Sequence, residues 1–134
     1  MDGPGILVYG LTEEQALLIK QDLEAKLDLE LRIVSASGKE DKVLCDVLSL
    51  DGEMLYEGRE DPRIVMFLRF EGPWIHKALD GFPRIEGGTR PIFCTPTEHN
   101  VEWRVRDLIR DLMAEREYFR GQNEAARASG EKGP

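Results

Sequence analysis

Four short apolar runs, each leading into a helix-like segment, constrain this chain more than anything else in it. The first, GILVYG at Gly5 to Gly10, is bounded by glycines and apolar throughout, as a strand buried on both faces is. Thr12 and Gln15 then stand in capping-box spacing, where two side chains satisfy two otherwise unpaired helix amides reciprocally. Ala16, Ile19, Leu23 and Leu27 recur at steps of three and four and leave Glu13, Gln21 and Glu24 to water, which predicts the first helix.

The same alternation repeats. ELRIVS, Glu30 to Ser35, predicts a second strand, and Ser37 with Glu40 followed by Val43/Leu44 and Val47/Leu48 predicts a helix over roughly Gly38 to Leu50. Asp51 to Arg63 is polar and irregular, with room for a brief extended piece at MLY. IVMFLRF, Ile64 to Phe70, is the strongest strand and should be central, with Arg69 interrupting it near its end. Gly72 and Pro73 open a short helix through Leu79, closed by Gly81. PIFCT then predicts a fourth strand, and Val101, Val105, Leu108, Leu112 and Phe119 a final helix starting near Asn100 and fraying beyond Tyr118, because Glu115 interrupts its apolar stripe.

Four strand-helix units in succession predict an α/β fold with a single small parallel sheet of about four strands flanked by helices. With the strongest strand third, the expected order is 2-1-3-4, a flavodoxin-like winding whose ligand site lies outside the carboxyl ends of the strands. One domain over residues 1–120 is expected, and residues 121–134 read as a disordered tail with almost nothing to bury.

Composition narrows the function classes. The chain has 134 residues, 41% hydrophobic and 33% charged, with a net charge of −8. An acidic chain repels nucleic acid and anionic lipid unless its basic residues cluster. Arg104, Arg106, Arg110, Arg116 and Arg120 do share a segment, but Asp107, Asp111, Glu115 and Glu117 lie among them, which predicts a mixed-charge solvated face. No apolar run reaches the length of a membrane span, and MDGPGILVYG lacks a basic leader region, so a cytoplasmic protein is expected. Cys45 and Cys94 form no C-x-x-C pair and read as reduced.

The expected carboxyl-end loops contain Thr12 and Glu13, Ser35 to Gly38, Phe70 to Trp74, and Cys94 to Asn100. None carries a glycine-rich phosphate cradle, and Glu13 and Glu71 oppose an anion. The chemistry is densest in CTPTEHNVEW, with Cys94, Thr95, Thr97, Glu98, His99, Asn100 and Trp103. Its simplest account is structural: Thr95, Thr97 or Asn100 caps the last helix, Pro96 stiffens the turn, and Cys94 packs as a small apolar residue. No histidine lies at helical spacing from His99, so no metal site is expected, and no cofactor can be named.

Ile64 onward resembles a family known as domain of unknown function 3783, in which a hydrophobic strand and short helix precede a strand running into a threonine-asparagine loop with a tryptophan just inside the final helix. The matching residues are IVMFLRF, then PIFCTPTEHNVEW with Thr95, Thr97, Asn100 and Trp103, then DLIRDLMAERE. The resemblance covers the carboxyl-terminal half only. The EH before Asn100 departs from the commoner spacing. The resemblance implies a fold and singles out a loop, and implies no reaction.

The leading expectation is a non-catalytic binding or regulatory module whose surface is the carboxyl edge of the sheet, with Thr12, Glu71, Trp74, Thr95, Thr97, Glu98, His99, Asn100 and Trp103 as its residues. Its partner would be a protein or a small polar ligand. The alternative is a small hydrolase or transferase using Cys94 with His99, or a cation held by Glu71, Glu98 and His99. The final helix also suits a homodimer.

Overall fold

In the computed structural model, residues 3–50 and 54–130 are described, and the side chains of 123–130 are not. Asp51 to Glu53, at the start of the irregular segment, and residues 131–134 of the expected tail lie outside the described residues. The strands are β1 (Gly5–Tyr9), β2 (Arg32–Ser35), β3 (Ile64–Leu68) and β4 (Ile92–Cys94). The helices are α1 (Glu13–Leu27), α2 (Leu44–Leu48), α3 (Gly72–Leu79) and α4 (Val105–Gly130).

The sheet order is β2-β1-β3-β4, the order expected. The sense of the strands is not: β1/β2 and β3/β4 are parallel pairs, but β1 and β3 are antiparallel, with Leu7 opposite Met66 and Tyr9 opposite Ile64. The reason is the connection after β2. α2 is five residues long, too short to carry the chain to the far end of the sheet as a crossover helix would. Residues after it return along the outer edge of β2, where the Ser35 hydroxyl donates to the Leu55 carbonyl, and β3 therefore starts beside the end of β1. The molecule is two β-α-β units joined through an antiparallel seam.

Alternation along the seam sorts side chains to two faces. Ile6, Val8, Val65 and Phe67 pack under α1 and α3 with Ala16, Ile19, Leu23 and Ala78. Leu7, Val34, Ile64 and Met66 pack under α2 and α4 with Leu44, Val47, Val105, Leu108 and Leu112. Lys26, near the end of α1, donates to the Asp80 and Gly81 carbonyls at 2.8 and 2.9 Å and so ties α1 to the end of α3.

The two units start alike. In each, the residue after the first strand has a left-handed backbone: Gly10 at φ 80° and Arg69 at φ 59°. An apolar residue follows, Leu11 or Phe70, and then the N-cap, Thr12 or Glu71. Gly10 is required for a second reason, since a Cβ there would run into the Pro62 carbonyl.

Three element boundaries differ from the sequence reading. Ser37 and Glu40 do not open a helix. The chain makes turns there and helix begins only at Leu44, because Val43 forms a bridge with Arg104 and the Leu44 amide donates to the Trp103 carbonyl at 2.8 Å. That same bridge delays the last helix: Asn100–Glu102 is a single 3-10 turn and α4 starts at Val105. At its other end α4 does not stop near Tyr118 but runs to Gly130, the NEAARA stretch having strong intrinsic helix formers. Met54 to Tyr56 forms no strand.

Candidate functional site

Because β1 and β3 are antiparallel, the four carboxyl-end loops do not share an edge. Thr12 lies at one end of the sheet, and Glu71, Trp74 and the loop after Cys94 lie at the other. The expected single carboxyl-edge site is therefore divided by the fold. The first end is also occupied by the chain itself: the Arg59 amide donates to the Gly10 carbonyl at 2.9 Å, and Gly58 packs on the Thr12 methyl.

Thr12 and Gln15 close the capping box, the Thr12 hydroxyl accepting from the Gln15 amide at 3.1 Å and the Gln15 carboxamide oxygen from the Thr12 amide at 2.9 Å. Thr97 and Asn100 repeat the device. The Asn100 amide donates to the Thr97 hydroxyl at 3.0 Å, the Thr97 amide to the Asn100 side-chain oxygen at 2.8 Å, and the Asn100 side-chain nitrogen to the Thr95 carbonyl at 3.3 Å. Asn100, 9% exposed, spends its whole side chain on this turn. Glu98 and His99 sit exposed at its tip and form no side-chain hydrogen bond among the described residues. Glu71 is exposed and makes no capping bond, and Trp74 is half-buried edge-on to Phe70 at 5.9 Å. Trp103 is not inside the final helix but at the break before it, half-buried against the α2/α4 core.

Cys94 packs in β4 beside that core, and burial, with a smaller contribution from the Glu115 charge, pushes its thiol up to about 12. It is a protonated thiol at neutral pH, not the thiolate that nucleophilic attack needs. Among the described residues no three His, Cys, Asp or Glu side chains gather as a metal site, so Glu71, Glu98 and His99 are not assembled into one.

A groove of about 550 Å³ lies between the approach to β4 and the outer part of α4. Its apolar floor is Ile92, Leu112 and Phe119, and its polar wall is Arg90, Arg116 and Arg120 with Glu115 and Thr89. Phe119 is 60% exposed, and its neighbour Tyr118 is 62% exposed. Arg116 makes a bidentate pair with Asp61 at 2.8 and 2.9 Å, which holds the Asp61 carboxyl below the usual carboxylate range, helped by the Thr89 hydroxyl. Arg120 pairs with Glu117 at 3.0 Å. Arg90 lies over the Phe93 ring at 5.3 Å and forms no ion pair among the described residues.

Just before β3 a further guanidinium is buried. Arg63, 2% exposed, donates to the carbonyls of Arg59, Ile85 and Glu86 at 2.7, 3.0 and 2.7 Å, and no carboxylate pairs with it among the described residues. Gly88 lies so close that a Cβ there would press on the Arg63 guanidinium carbon. A buried charge solvated only by carbonyl dipoles keeps its field.

Sequence reasoning did not pick out this groove. Arg116 and Arg120 belong to the run read as a mixed-charge face, and Arg106–Asp41, Arg110–Asp107 and Arg120–Glu117 do form that face. The available signal was Tyr118-Phe119, two aromatics placed after the apolar stripe had already been broken by Glu115.

Residues 63–119 match the model of a family described as Domain of unknown function (DUF3783). The match starts at the buried Arg63 and ends at the groove's Phe119, so it spans the second β-α-β unit and the packed length of α4. No curated protein and no solved structure matches the chain. Among the described residues no helix is long and apolar enough to cross a membrane.

Proposed function

We propose that this chain is a cytoplasmic, non-catalytic binding module that receives a carboxylate-rich segment of another protein in the groove between β4 and α4. One observation carries the reading: an apolar trough with a 60% exposed Phe119 is walled by Arg90, which has no ion pair among the described residues. An unpaired guanidinium beside exposed apolar surface favours a partner that brings a carboxylate and an apolar side chain together. Phe119 and Ile92 supply the apolar contact that holds it, and arginine is the cation best shaped to grip carboxylates. Nucleic acid is disfavoured by the overall charge.

The test is a titration of isotope-labelled protein with synthetic peptides of one length and rising glutamate content. Amide shifts centred on Arg90, Ile92, Leu112 and Phe119 that grow with glutamate content are expected. They should weaken with salt, as the screening length falls from about 10 Å at 0.1 M to about 3 Å at 1 M. Equal response to neutral peptides, or shifts that map elsewhere, overturns the reading.

A further inference from the structure

The strand beside the groove has an open edge. The Ile92 amide donates to the Arg63 carbonyl at 2.7 Å. By the alternation of a parallel ladder, the polar groups of Ile92 and Cys94 then face β3, and the N–H and C=O of Phe93 point away from the sheet. The Thr95 amide follows Phe93 on that side. Neither amide has a hydrogen-bond partner among the described residues. The opposite edge of the sheet differs: there the Ser35 amide meets the Met54 sulfur at 3.2 Å and the chain after α2 lies against β2.

We infer that an extended acidic segment of a partner protein adds to β4 as a fifth strand, pairing with Phe93 and Thr95 while its side chains enter the groove under α4. This rests on the reading of the groove as the binding surface, and it specifies the partner's conformation. The occupant is argued from charge and apolarity together: Arg90, with no ion pair among the described residues, lies over the Phe93 ring on the α1/α3 face of the open edge, and the apolar floor of the groove lies on the α4 face. A strand laid along β4 points alternate side chains to the two faces, so an acidic set meets Arg90 and an apolar set enters the groove while the backbone pairs. Pro91, which has no N–H, and Pro96 bracket the exposed stretch, so the register is confined to Phe93–Thr95. Such a short, proline-bracketed edge resists indiscriminate sheet growth and still offers one specific pairing site.

The experiment uses the full chain and two synthetic probes, a peptide of alternating glutamate and valine and the same peptide N-methylated at alternate residues. The methylated form keeps every carboxylate and loses the backbone donors on one edge, and both registers of methylation are used. Saturating plain peptide should slow hydrogen exchange at the Phe93 and Thr95 amides by about tenfold or more, with at least one methylated form bound about tenfold more weakly. If both methylated forms bind as well as the plain peptide and shift the groove residues, strand addition is overturned and the groove reading stands. If no probe binds, both fall. Exchange at Phe93 already slowed without peptide, with a dimeric mass by sedimentation, would make the occupant a second copy of this chain and would also overturn the proposal.

Discussion

The two β-α-β units are built to one plan and end up with opposite surroundings. In the first, the left-handed residue after the strand is a glycine pressed by the Pro62 carbonyl, the carboxyl end is covered by Gly58 and Arg59, and the outer edge is shielded by Met54 and Leu55. In the second, the matching residue is an exposed arginine, the strand that starts the unit is preceded by a buried cation, and the outer edge is open. The same local plan thus gives a closed half and an open half. The difference comes from the connection before β3: residues 54 to 59 lie against the first unit, and the chain then reaches Thr89 and Arg116 through Glu60 and Asp61 and delivers Arg63 to the second.

Removing the buried cation should break the comparison most. Arg63→Met leaves the Arg59 and Ile85 carbonyls without a donor and the Glu86 carbonyl with only the Gln15 side chain, and should destabilise the protein by about 3 kcal/mol or more, since each buried unsatisfied group costs about 1–3 kcal/mol. The check is the urea midpoint at unchanged slope; a loss under about 1 kcal/mol would mean that water replaces the guanidinium.

Exchanging the matched left-handed residues comes next. Gly10→Ala meets both strain and the Pro62 carbonyl and should lose about 2 kcal/mol. Arg69→Ala keeps the strain already present at an exposed site and should stay within about 0.5 kcal/mol of the parent. Equal losses at the two positions would show that the units are closed to the same degree.

The strand and helix order and the 2-1-3-4 arrangement were legible because periodic apolar residues and caps are local signals: Thr12 with Gln15 forms the box its spacing requires. The antiparallel seam was not legible. Whether β3 runs with or against β1 depends on which end of the sheet the chain re-enters, and residues 54 to 62 settle that by packing on Gly10, Thr12 and Ser35, contacts that no periodicity encodes. The TPTEHN loop was read well as a turn and poorly as a surface. Thr97 and Asn100 answer each other at short range, whereas the groove needs Thr89, Ile92 and Phe119 brought together by tertiary packing.

The two reciprocal caps sharpen the comparison at smaller scale. Asn100→Ala and Thr12→Ala should each cost about 1 kcal/mol, and Asn100→Ala should leave peptide binding in the groove unchanged. Loss of binding in the Asn100 variant, at retained fold, would return the site to the loop.

Finally, pH should load the halves separately. Arg116 holds the Asp61 carboxyl low, so its contribution is present above the unfolded-state value of about 3.9 and is lost as pH falls through the lower folded value. Burial and the bond to Glu40 push the Tyr9 hydroxyl up to about 12, so its contribution is full below about 10 and is lost as pH rises through the folded value. Arg116→Gln should soften only the acid limb of the stability profile, whereas Tyr9→Phe should soften the alkaline limb and also part of the acid limb, because the Tyr9 hydroxyl helps hold the Glu40 carboxyl low. Movement of the alkaline limb in Arg116→Gln would show that the two halves respond as one.

The seam also orders events in time. Within each unit the parallel pairs Ile6 with Ile33 and Val65 with Phe93 join residues of one contiguous stretch, whereas Leu7 with Met66 joins the two halves of the sequence. Closing that longer loop costs more entropy before any contact repays it. The antiparallel pair at the centre of the sheet, buried deepest in the finished molecule, is therefore expected to form last, when two half-made units meet.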